Sequence, residues 1–180
     1  MLRWYGRDRW VDNHSRKEQK HMEQKTLSKW LKFVIIGVGV CALFIFFYVV
    51  PSYGLTAKDM VPDYAIAFWP WLIFLWICAI PCFAALFLCW KIAANIGRDK
   101  SFSTENANLL LWIARLGAGD SAFFFIGNIV LLFCNMSHPG IVLSAMVVVF
   151  AGVTITVAAA CLSHMVKKAA KLQEQSDMTI

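Results

Sequence analysis

Four apolar runs, at about residues 33–50, 64–90, 107–134 and 141–163, hold almost no Lys, Arg, Asp or Glu. As helices, each is long enough to cross the ~30 Å hydrocarbon core of a bilayer. A helix buried in a soluble core is usually shorter and keeps a polar face. Charged residues make up 16% of the chain, where a soluble domain carries about a quarter. The expected fold is therefore all-α, an integral membrane four-helix bundle. Its parts are a basic N-terminal segment (1–32), a membrane domain (33–164) and a helical tail (165–180).

The net charge of +6 has a topological pattern. Of the seventeen Lys and Arg residues, nine precede the first run, three lie between the second and third, and three follow the fourth. Lys58 stands between the first and second runs, and Arg115 lies inside the third. By the positive-inside rule both termini face the cytoplasm.

Residues 1–32 set Trp4, Tyr5 and Trp10 among arginines. The charged stretch is too long for a signal peptide, and no small-residue cleavage site follows Val50. From Ser15 to Lys32 the composition favours helix. The segment either is drawn to anionic lipid or is a solvated extension that enforces topology; direct nucleic-acid binding is not expected. The first span should end at Val50-Pro51, leaving an external loop over 51–63. Tyr48 and Tyr53 mark the outer interface and Trp30 the inner one. The second span should run from Tyr64 to Trp90, with a kink at Pro81. Six cysteines lie in or at the ends of the runs. Cys78 and Cys82, four apart, fit neither a CxxC pair nor a zinc site, and read as small packing residues. The four histidines are scattered, so no metal or other cofactor is expected.

The stretch Arg98–Asp120, RDKSFSTENANLLLWIARLGAGD, carries the most information. Gly97 suits the left-handed conformation that closes a helix. Ser103 reads as an N-cap, with Thr104 and Glu105 in the first turn, where an acid complements the helix dipole. A helix from Thr104 to Cys134 would be about 46 Å long, so one end must protrude. Trp112 and Arg115 belong at the inner interface, with Arg115 snorkelling to the headgroups. Asp120 then lies about 7 Å deeper than Arg115 and points about 140° away from it. Gly117, Ser121, Gly127, Asn128 and Asn135 share its side of the helix, a small and polar stripe expected to face the bundle. An acid at this depth costs about 2–3 kcal/mol, so it needs a partner, water or a proton. Asp120 reads either as a protonatable or ligand-contacting site or as a packing hydrogen bond to Ser163 or Thr156; Asn128 and Arg115 are the other candidate functional or packing residues. In the fourth run Gly152, Thr156, Ala159 and Ser163 form a small-residue seam. The helix should continue through Lys167, Lys168 and Lys171, because MVKKAAKLQEQ holds no breaker.

Two motifs together resemble a bacterial family of small four-span membrane proteins of unknown function. They are Phe102-Ser103-Thr104-Glu105-Asn106 at the head of the third span and the ending Leu172-Gln173-Glu174-Gln175 … Asp177-Met178-Thr179-Ile180. The family tends to carry Pro-Phe-Ser-x-Glu-Asn and to end in acidic-Leu-Thr-Ile. This chain has Ser101 and Met178 where Pro and Leu are common. The resemblance spans residues 33–180 and implies a bacterial cytoplasmic membrane. It also implies a small Cro/C1-type helix-turn-helix regulator as partner, because such regulators are often encoded alongside.

Two functions are expected from different classes. The first is a membrane-embedded regulator or sensor that engages a cytoplasmic partner through Phe102, Ser103, Glu105, Asn106, Asp177, Thr179 and Ile180. The second is a small transporter, channel or accessory subunit, acting as a homo-oligomer with Asp120 in a polar path. With no HExxH, no GxSxG and no nucleophile–base pair, catalysis is not expected.

Overall fold

The computed structural model describes the backbone of residues 5–60, 66–98 and 100–177 and the side chains of residues 22–56, 66–98 and 100–176. The described elements are all helical: α1 (Tyr5–Phe44), a π-helical turn (Ile45–Val49), α2 (Val50–Met60), α3 (Phe68–Gly97), α4 (Thr104–Phe133) and α5 (Pro139–Asp177). Four stretches of helix are long and apolar enough to cross a membrane, the first formed by α1, the π turn and α2 together.

Packing runs around the bundle from α1 to α3, from α3 to α4 and from α4 to α5, and the last pair is the most intimate. The spacing of the small residues explains that closeness. A Cβ on Gly117 would come within 2.6 Å of Thr156 Oγ1, and one on Gly152 within 2.5 Å of Ser121 Oγ. Each helix thus receives the other's short side chain at a glycine, and the seam anticipated in the fourth run packs against α4. Gly127 does the same for α3, whose Phe74 ring occupies the space of a Cβ there. Around that contact Phe74, Cys78 and Leu131 form the hydrophobic core, with Trp71, Leu75, Phe124 and Met136 against it. Among the described residues, α1 packs substantially only against α3 and the π turn that continues it.

Pro51 does not end the first span. The helix continues through it to Met60, so the loop expected over 51–63 is helical over most of its length. The physical device is the π turn. Val50 N–H bonds Ile45 O, five residues back, and in that register the next donor would belong to Pro51, which has none. Phe46 O is thereby left free, and Trp76 Nε1 of α3 donates to it at 3.3 Å. A side chain from the neighbouring helix supplies the bond that the proline removes. The second span also starts later than expected, at Phe68, and runs on to Gly97 without a break at Pro81.

Two helix ends differ from their expected chemistry. No glycine has positive φ among the described residues, so Gly97 is not a left-handed cap. Asn95 O accepts from both Arg98 N and Lys100 N at 3.1 Å to close α3. Gly97 is instead a close approach: a Cβ there would lie 2.7 Å from Ser28 Oγ. The left-handed residue is Asn135, φ 60°, which ends α4. Met136 N bonds Leu131 O and Asn135 N bonds Leu132 O, the paired bonds of a Schellman motif. Asn135 therefore serves the turn and does not extend the polar stripe.

The aromatic residues mark two levels. On one side Lys32 Nζ lies 5.5 Å from the Trp90 ring centre, Lys91 Nζ 5.1 Å from Phe87, and Arg115 5.3 Å from Trp112. On the other, Tyr53 and Trp69 are exposed. From Trp90 to Trp69, and equally from Lys32 to Tyr53, the rise is about 32 Å, close to the thickness of a hydrocarbon core. The α3–α4 connection is on the basic side, about 10–12 Å beyond the Trp90–Trp112 level. α1 projects about 40 Å past that level and α5 about 24 Å.

Candidate functional site

Asp120 lies eight residues into α4 from Trp112, about 12 Å in from the basic belt and near mid-membrane. Its partner is Cys82, whose Sγ donates to Oδ2 at 3.6 Å. This corrects the sequence expectation of Ser163 or Thr156. Ser163 Oγ instead donates to Ala107 O at 2.6 Å, close to the start of α4, and Thr156 lies against Gly117. The register of α3 against α4 sets the pairing. Asn95 meets Asn106 and Phe74 meets Gly127, and between these levels position 82 falls opposite position 120.

The second carboxylate oxygen is different. Asp120 Oδ1 is buried without a hydrogen-bond partner, as are Asn128 Oδ1, Thr156 Oγ1 and Ser137 Oγ. Asn128 is 1% exposed, and its amide nitrogen donates to Phe124 O at 2.8 Å, so only half of its carboxamide is satisfied. From Thr156, beside Gly117, to Asn128 the orphaned atoms extend over about 16 Å of helix. Unpaired groups in an apolar interior cost roughly 1–3 kcal/mol each. These atoms lie at separate levels of the α3–α4 and α4–α5 contacts, with the Asp120–Cys82 pair towards the exposed side. Arg115 lies apart from them: its guanidinium lies over Trp112 at the membrane surface. Among the described residues no group of three His, Cys, Asp or Glu side chains could hold a metal ion.

The second feature is the connection on the basic side. Ser103 caps α4 as expected, with φ −120° and ψ 150°, and accepts from Asn106 N at 3.2 Å. Asn106 is the hub. It is 1% exposed; its Oδ1 accepts from Asn95 Nδ2 at 2.8 Å, and its Nδ2 donates to Lys100 O at 2.9 Å and Ser101 O at 3.1 Å. One carboxamide thus ties the end of α3, the connecting loop and the start of α4. Next to it Ser28 Oγ donates to Ala93 O at 2.6 Å, joining α1.

The candidate contact residues therefore divide. Phe102 is 60% exposed, and Glu105 is also exposed. Ser103 and Asn106 turn inward to hold the loop. Asp177 is the last residue of α5, with its side chain outside the described residues, where Thr179 and Ile180 also lie. Sequence reasoning missed Cys82, Asn95, Ser28 and Trp76. A polar residue on each side of a short connection was a usable signal for Asn95. Nothing local marked the others, whose roles depend on inter-helix register.

Residues 53–180 match the family model described as "Protein of unknown function (DUF2975)". The chain is 30% identical over 152 residues to the uncharacterized membrane protein YoaS of Bacillus subtilis (strain 168), covering 83% of this chain and 94% of that protein. No solved structure matches.

Proposed function

This chain belongs to the DUF2975 family of membrane proteins of unknown function, and from that premise we propose that it is a membrane-embedded docking protein for a soluble cytoplasmic regulator. The observation that carries the reading is the exposure of Phe102 on a clamped loop. The ring is 60% exposed, while the loop is pinned from below by Asn106. The loop stands about 10–12 Å outside the Trp90–Trp112 level, beyond a headgroup layer of roughly 5–7 Å, so lipid does not explain the aromatic. A rigid loop that displays an apolar ring to water is the arrangement of an interface anchor. The flanking projections of α1 and α5 extend the same face. The partner class proposed is a small helix-turn-helix protein, as the 102–106 and 172–180 motifs imply. Co-purification from native membranes with such a regulator encoded beside it tests this. Phe102→Ala should reduce recovery at least about tenfold, the scale of one anchor residue; undiminished recovery overturns the reading.

The unpaired atoms around Asp120 favour a second reading, a proton or small-ion path. In proteoliposomes, flux abolished by Asp120→Asn supports it, and flux that is absent in the native protein or indifferent to the substitution removes it.

A further inference from the structure

Lys32, Phe87, Trp90 and Lys91 form a cluster that neither reading uses. Phe87, Trp90 and Lys91 occupy positions i, i+3 and i+4 of α3, one turn of a single face. Lys91 Nζ folds back over Phe87 at 5.1 Å. Lys32 reaches across from α1 and sets its ammonium 5.5 Å from the Trp90 ring. Phe87 is 59% exposed and Trp90 37%, so the cluster opens outward at the α1–α3 seam. No ion pair joins described residues, and both ammoniums rest on rings in place of carboxylates. They lie at the membrane surface, where the dielectric constant falls and an uncompensated cation seeks an anion.

We propose that this cluster is a binding site for the headgroup of an anionic phospholipid, with the phosphate between the two ammoniums and the acyl chains along the exposed faces of Phe87 and α1. The aromatic rings fix the cations without neutralising them. Ring contact also keeps the lysine stems from reaching into bulk water, so their positive charge stays at the inner edge of the headgroup layer, with Lys91 over the ring about 4–5 Å deeper than that of Lys32. The seam supports this occupant further: among the described residues α1 is held to the bundle mainly through α3, and a headgroup bridging Lys32 and Lys91 ties the two helices at the membrane surface. Zwitterionic lipid supplies a phosphate too, but its ammonium cancels the attraction, so the site discriminates by net headgroup charge.

The test is native mass spectrometry of the full chain released from nanodiscs that contain equal amounts of phosphatidylglycerol and phosphatidylcholine. Each lysine near an anionic surface contributes about fivefold in affinity. The native protein should retain phosphatidylglycerol in excess by about an order of magnitude, and Lys32→Gln with Lys91→Gln should bring the two lipids to parity. Lys100→Gln with Lys168→Gln, a control with the same net charge change outside the cluster, should keep most of the preference. Equal retention by the native protein overturns the proposal. So does a preference lost equally in both double variants, which would make it an effect of overall charge. If the cluster variant does not fold, Lys91→Gln alone should weaken the preference about fivefold, and an unchanged preference is again fatal to the proposal. Millimolar inorganic phosphate should leave the retained lipid in place; displacement would assign the site to free phosphate.

Discussion

Asn106 satisfies two peptide carbonyls and one side-chain amide with a single carboxamide. Replacing it with Ala strands the buried Asn95 amide and two half-buried carbonyls, and the expected loss of stability is about 1–3 kcal/mol, read by thermal unfolding in detergent. Asn106→Asp should be no better, although its shape is the same, because an oxygen then faces the carbonyls of Lys100 and Ser101. Glu105→Gln, one residue away and exposed, should cost under about 0.5 kcal/mol. The Ser103 cap was readable because capping is local and a serine followed by an acid in the first turn is a helix-start signal. The inward role of Asn106 was not. A motif residue beside a cap looks the same from sequence whether it turns to the partner or to the core. Cys82 was hidden more deeply, since its meeting with Asp120 depends on two helices sliding into one register out of several.

Among the elements, the first span shows a proline accommodated by pairing between helices. Phe46 O depends on Trp76 Nε1 because Pro51 has no N–H. Trp76→Phe should therefore destabilise by about 1 kcal/mol. In a Pro51→Ala background the same substitution should cost measurably less, because a backbone donor is restored; a double-mutant cycle that finds the two changes additive would exclude this coupling. An apolar run that meets a proline near its end reads as a terminated helix, which is why 51–60 was expected as loop. Sequence carries no mark of a π turn, which needs a neighbour to absorb the orphaned carbonyl. The α4–α5 pair was more legible, because small residues at helical spacing leave a visible pattern. Gly152→Val should push α5 off Ser121 at a cost of about 1–3 kcal/mol, whereas Gly37→Ala, with nothing within 4 Å of its Cβ position, should be close to neutral.

At the scale of the whole molecule, four spans set the far ends of α1 and α5 on one side, and the excess of Lys and Arg on that side leads us to propose that it is cytoplasmic. Green fluorescent protein fused after residue 176 should be bright and alkaline phosphatase fused there inactive; the reverse result would invert the molecule. The four-helix architecture was legible because run length needs no knowledge of contacts, and lipid makes helices the default. The order of packing had no such signature. Its consequence is mechanical. α1 is one unbroken rod from Tyr5 to Phe44, fastened to the bundle along a single seam, with the Ser28–Ala93 bond at its exit from the headgroups. About 35 Å of that rod extends beyond Ser28, longer than the rise from Ser28 to Phe46. A sideways force at the tip therefore acts on the seam through a lever about 1.3 times as long as the segment from Ser28 to Phe46. The fulcrum is one serine hydroxyl.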